Sequence, residues 1–198
     1  MKRNHITILA ILIFLCFKVT AQEITTAKTE QSKKFKTIGG LMGWGNSFSK
    51  STYYQVYYFI LDYSKSFNVP KKKDFVAWYA EPQFNLVRSS YLPKGEIMHD
   101  FEFGLNLGIR NYVKISDGFY FYQMIGSGPH YISAPVKRQA SGFIFSDNFA
   151  LGGLIRLPQE NLMLNLQYVQ RHISNANLKA PNGGINFYNF VLGVSRVR

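Results

Sequence analysis

Only one cysteine, Cys16, occurs in the 198 residues. It sits in an apolar stretch near the N-terminus, so the rest of the chain has neither a disulfide framework nor a catalytic thiol. Charge is scarce as well: Asp, Glu, Lys and Arg make up 17% of the residues, against roughly 25% in an ordinary soluble domain. Acids are the scarcer sign, 11 against 23 bases, which leaves a formal net charge of +12. After the N-terminal stretch no apolar run approaches the roughly 20 residues of a membrane-spanning helix, and no segment keeps a helical period. What the sequence does have is aromatic residues, 17 Phe, 13 Tyr and 2 Trp, with 16 glycines, and a mean hydropathy of −0.10. Such a composition excludes disorder and coiled coil, and the length suits one domain.

The first residues read as an export signal. Lys2 and Arg3 precede the apolar run Ile6 to Phe17, and Val19-Thr20-Ala21 offers a cleavage site before Gln22. The run is too short to span a bilayer, and Ile13-Phe14-Leu15 ahead of Cys16 does not make a lipoprotein box. The expected layout is therefore a signal peptide over 1–21, a polar, Lys-rich lead-in over 22–36 and a single domain over 37–198. Cleavage removes Lys2, Arg3 and Lys18 and no acid, lowering the formal charge to +9. For a basic exported protein the expected partner is anionic lipid rather than nucleic acid.

The domain breaks into segments of about ten residues with period-two alternation, punctuated by Gly, Pro, Ser, Asn and Asp. Phe101, Phe103, Leu105, Leu107 and Ile109 form one face of the cleanest segment, and Glu102, Gly104, Asn106 and Gly108 the other. Strands are expected at Thr37 to Asn46, Tyr53 to Tyr63, Phe75 to Val87, His99 to Asn111, Phe119 to Ser127, Gly142 to Arg156, Asn161 to His172 and Gly184 to Val197. Eight strands of this length predict an all-β, eight-stranded antiparallel transmembrane β-barrel. A soluble lipid-carrying barrel is the alternative. The polar face carries Glu102, Asn106, Asn165, Gln167 and glycines, which suits the inside of a narrow barrel better than a solvated exterior. If both termini lie in the periplasm, the turns Tyr112 to Gly118 and Leu157 to Glu160 are periplasmic. Arg88 to Met98, Gly128 to Ser141 and Ile173 to Gly183 are then extracellular, and Ser64 to Asp74 is long for a periplasmic turn.

The stretch with chemistry in it runs from Arg171 to Asn186. His172 and Ser174 are two apart, so on a strand they share a face with Leu164, Leu166 and Tyr168. Asn186 has the parity of Tyr188, Phe190, Leu192 and Val194. All three polar side chains therefore point outward to lipid near the extracellular rim. An imidazole beside a hydroxyl is the minimum for nucleophilic acyl transfer, and a side-chain oxygen on the next strand can orient the ring. Two residues at this spacing also arise by chance at a strand end.

The run His172-Ile173-Ser174-Asn175-Ala176, followed by Pro181-Asn182-Gly183-Gly184-Ile185-Asn186, resembles the C-terminal signature of the PagL-type lipid A 3-O-deacylases, eight-stranded outer-membrane barrels. The resemblance implies His172 as base, Ser174 as nucleophile and position 186 as the group that orients the histidine. It implies an outer-membrane location and hydrolysis of the 3-position ester of lipid A in lipopolysaccharide, with no cofactor. Well-known members carry glutamate where this chain has Asn186. An amide accepts the imidazole N–H but supplies no charge, so a non-catalytic barrel of the same family is the second expectation. Glu160 lies at the far end of the seventh strand and Asp147 is distant in sequence, so neither is expected to substitute.

Asn175 is a candidate for holding the loop or stabilising the oxyanion, and Asn177 stands where glycine is common, suiting a left-handed backbone. Arg171, Lys179, Lys137, Arg138, Arg88 and Lys94 are expected near the rim, where they could meet phosphates. His99 and His130 have no partners at metal-ligand spacing, Asp100 and Glu102 fall on the lumen face, and no metal or cofactor site is expected. Whether the protein forms a homodimer is left open.

Overall fold

Alternation along the chain becomes inside and outside in the computed structural model, which describes residues 34–48, 52–70, 73–91, 95–159 and 161–198. The expected signal peptide and the lead-in up to residue 33 lie outside the described residues, as do Lys94 and Glu160. The strands are β1 (Lys36–Ser47), β2 (Tyr53–Ser66), β3 (Asp74–Ser90), β4 (Met98–Ser116), β5 (Phe119–Ile132), β6 (Gly142–Arg156), β7 (Leu162–Ser174) and β8 (Ile185–Val197). Each pairs with its neighbour in the chain, and β1 and β8 pair antiparallel to close the barrel. Closure satisfies every strand edge, the condition for a sheet to cross lipid.

The strands begin within about a residue of expectation but several run longer. The turn expected at Tyr112 to Gly118 shrinks to Asp117-Gly118, because β4 continues to Ser116 with a bulge between Lys114 and Ser116. Asp-Gly is the dipeptide that a two-residue hairpin favours. Gly128 and Pro129, expected to open a loop, instead lie within β5, with Pro129 opposite Phe145 on the outer face. Phe35, placed in the lead-in by sequence, is buried with its ring 4.8 Å from Phe75 and 5.2 Å from Tyr112. The basic C-terminus also has a place: Arg198 and Lys36 exchange two backbone hydrogen bonds of 2.9 Å that continue the closing seam.

Large apolar side chains cover the outer wall, among them Met42, Leu61, Phe84, Phe103, Ile125 and Leu192, all at least half-exposed or nearly so. The inner wall is polar. Arg110 donates to Asp62 at 2.9 Å and Glu81 at 3.0 Å and lies over the rings of Tyr79 and Tyr122. Towards the other end, Arg171 donates to Glu102 at 2.7 Å and Ser146 at 2.7 Å, and Glu102 also accepts from Asn85 and Tyr54. Between the two clusters remains a cavity of about 20 Å³, room for about one water. A greasy exterior around a charged interior is the reverse of a soluble lipid carrier, so that alternative is excluded.

Breaking one of these buried pairs leaves its partner uncompensated. Glu102→Ala should lower the unfolding free energy by about 3–5 kcal/mol, read from urea-induced loss of the heat-modifiable folded band. A loss under about 1 kcal/mol would show that the interior pair is dispensable.

Candidate active site

The connections after β1, β3, β5 and β7 leave from one rim, and both described termini lie at the other end. His172 and Ser174 are the last outward residues of β7. They are half-buried and alternate with the buried Arg171, Ile173 and Asn175. In register, His172 opposes Asn186 on β8, and the two side chains meet: His172 Nδ1 lies 2.7 Å from Asn186 Oδ1. An amide oxygen only accepts, so Nδ1 carries a proton and donates it, and in the neutral ring the lone pair is then on Nε2. That is the tautomer a general base needs. No hydrogen bond joins Ser174 to the imidazole among the described residues, and such contacts often tighten only once substrate is bound.

Gly184 keeps the imidazole accessible. Its φ is +60°, a conformation open to glycine at little cost. A Cβ built there would lie 2.6 Å from His172 Cε1 and 3.1 Å from Nε2. Continuing the β7–β8 register one step past Ile173 and Ile185 brings Gly184 opposite Ser174. The missing side chain thus leaves open the space between Ser174 and His172 Nε2. Sequence reasoning quoted Gly184 within the motif but gave it no role, although a glycine before an outward asparagine was the available signal.

The loop over residues 175–184 is built by three asparagines. The Asn175 backbone N–H donates to Asn182 Oδ1 at 2.9 Å, the Asn175 amide donates to the Lys179 carbonyl at 2.6 Å, and the Asn182 amide donates to Asn177 Oδ1 at 3.0 Å. Asn175 therefore ties both ends of this loop through its backbone N–H and its side-chain amide. Asn177 has φ +64°, the left-handed conformation expected of it, and Ala176 shares it at +51°. Arg138 crosses from the preceding rim loop to donate to the Gly183 carbonyl at 2.6 Å.

Arg171 corrects an expectation. Rather than reaching phosphates at the rim, it is buried in the lumen on Glu102, Ser146 and Tyr58, because its parity is opposite to that of His172. Lys179 and Lys137 are exposed at the rim and Arg88 is half-buried. His130 is buried inside between Asn106 and Arg171, and Glu102 is paired on the lumen side as its parity requires.

Asp147, dismissed as distant in sequence, stands directly opposite His172 in the β6–β7 register. It accepts a hydrogen bond of 2.6 Å from the Ser127 hydroxyl on β5. Ser127, Asp147, His172 and Asn186 therefore form one polar row across four strands of an otherwise apolar wall. They line a common groove of about 740 Å³, whose apolar walls include Ile125 and Phe149.

A family model described as lipid A 3-O-deacylase (PagL) matches residues 57–195. Among solved structures, the outer membrane enzyme PagL superposes with a TM-score of 0.58 at 18% identity, covering 79% of this chain and 97% of that one. The attachment invasion locus protein Ail of Yersinia pestis gives 0.49 at 13% identity, with 84% and 99% covered. The outer membrane protein OprG of Pseudomonas aeruginosa gives 0.47 at 14% identity, with 85% and 97% covered. No curated protein matches. The family match takes in β3 to β7 whole and reaches Ser195 on β8, so it includes the row that holds His172, Ser174 and Asn186. On this ground the chain belongs to the PagL lipid A 3-O-deacylase family of outer-membrane β-barrels.

Proposed function

We propose that this protein hydrolyses the ester at the 3-position of lipid A, with Ser174 as nucleophile and His172 as base. The observation that carries the reading is the His172–Asn186 hydrogen bond on the outer wall, which holds an imidazole with a free Nε2 where acyl chains pack. As Ser174 Oγ attacks the ester carbonyl, its proton moves to His172 Nε2. The carbon–oxygen bond to the sugar then breaks, and Nε2 returns the proton to the departing hydroxyl. Water repeats the sequence on the acyl-serine and releases a 3-hydroxy fatty acid. Lys179 and Lys137, exposed at the same rim, are suited to the phosphates of the head group. On this reading the rim faces the cell exterior, so the substrate is outer-leaflet lipopolysaccharide.

The neutral Asn186 favours a second reading, a barrel of the same family in which turnover has lapsed. Expression of the wild type and of Ser174→Ala in a host of known lipid A, followed by mass spectrometry, separates the two. Loss of one hydroxyacyl mass with the wild type alone supports hydrolysis, and no loss with either supports the lapsed barrel. Asn186→Glu should raise turnover, since a carboxylate orients the ring and adds charge; an unchanged or lower rate argues against Asn186 as the orienting group. Gly184→Ala should fold yet lower kcat by about 10²-fold, the usual penalty for misplacing a catalytic group by about 1 Å. Wild-type kcat in a folded Gly184→Ala barrel would show that the gap beside Nε2 is not needed.

A further inference from the structure

We propose that Arg138, at the tip of the loop between β5 and β6, is a positioning residue that clamps the Gly183–Gly184 turn and through it holds Asn186 beside His172. The inference rests on the esterase reading and says what keeps the site in place at the rim. Val136 and Gln139 exchange two backbone hydrogen bonds of 3.1 Å, so the loop folds back on itself as a small hairpin with Lys137 and Arg138 at its tip. Ala134, Val136 and Gln139 are buried, which anchors the hairpin, while the two tip residues are exposed. Its return limb runs antiparallel to the loop between β7 and β8. Gln139 pairs there with Asn182, and the Ala140 N–H donates to the Pro181 carbonyl at 2.9 Å.

At the tip, Arg138 takes both polar groups of one glycine. Its carbonyl accepts from the Gly183 N–H at 2.6 Å, and its guanidinium donates to the Gly183 carbonyl at 2.6 Å. The Gly183 carbonyl belongs to the planar peptide unit that ends at the Gly184 nitrogen, so fixing that carbonyl fixes the plane from which φ of Gly184 turns. That φ is +60°, and two consecutive glycines have no side chains of their own to hold it. A Cβ at Gly183 would lie 3.2 Å from Arg138 Nε, so the bare backbone lets the arginine stem lie close over it. Gly184 abuts the His172 ring, and two residues on Asn186 bonds to that ring. A hydrogen bond from a charged donor is the strong kind, and supporting contacts of this sort are what hold a catalytic constellation in place. The charge that suggested phosphate binding is thus set on the backbone of the loop, where it acts on the site without touching the reacting atoms.

The test compares Arg138→Met, which keeps the length and loses the donor, with Arg138→Lys, which keeps a donor, in the refolded full-length barrel. Rates are measured in mixed micelles on lipid A before and after chemical removal of its phosphates. Arg138→Met should lower kcat about tenfold on both substrates and leave KM in place. That is part of the roughly 10²-fold that a displacement of about 1 Å can cause, since the backbone bonds to Pro181 and Gly183 remain. Arg138→Lys should recover most of the loss. A higher KM on the phosphorylated lipid alone would assign Arg138 to the head group and defeat the proposal. Nitrogen-15 shifts of the His172 ring, read in the Ser174→Ala background at a pH where the ring is neutral, give the fraction of Nδ1–H tautomer without turnover. That fraction should drop when Arg138→Met is added. An unmoved fraction in a folded barrel, or an unmoved kcat in an active one, would overturn the proposal. An inactive wild type whose tautomer still responds to Arg138→Met would overturn the esterase reading and leave the clamp standing.

Discussion

Two buried guanidinium groups set the terms for everything else in this barrel. Lipid outside forces apolar side chains outward, so charge placed on the inner face must be met inside, in a lumen too narrow to hydrate it. Arg110 with Asp62 and Glu81, and Arg171 with Glu102, resolve that demand by pairing with each other and with tyrosines and amides. The interior glycines serve the same end: a Cβ at Gly152 would run into the Tyr122 ring, and one at Gly104 into His130. The result is a packed cylinder with a stiff wall, and stiffness is what a catalytic constellation on a strand requires.

On that wall the site is a local exception to the rule that made the fold. Ser127, Asp147, His172, Ser174 and Asn186 all break the apolar pattern of the outer face, and they do so at one height on neighbouring strands. Scattered singly they would be minor faults in a lipid-facing surface. Gathered into a row they form a polar notch among aromatics such as Phe145 and Tyr188. Sequences tend to violate their own folding rules at functional sites.

Much of this was legible before any coordinates. The eight strands, the inward parity of Glu102 and Asn106, and the outward parity of His172, Ser174 and Asn186 follow from a period of two. The pairing of His172 with Asn186 follows from a hairpin whose loop separates them. What escaped was register between strands joined by an uncertain turn. Reflecting Asp147 through a turn at Leu157 to Glu160 sets it opposite Gln170, one outward step from His172, so a turn displaced by a single residue hid the neighbour. Arg171 was misplaced for a different reason: its charge suggested the rim, while its parity, readable beside His172, required the lumen. The Gly184 gap could not be read from sequence, since it depends on where a side chain across the strand pair lies.

The filled lumen also decides how the site is irrigated. With about 20 Å³ between the two ion clusters, no column of solvent rises through the cylinder, and the acyl chains alongside the wall carry almost none. If Ser174 is acylated as proposed, the water that cleaves that ester must descend from above, past the asparagine-braced loop and between the sugars of the lipid layer. Turnover is thereby tied to how tightly those head groups are packed, a property of the membrane that the protein does not control.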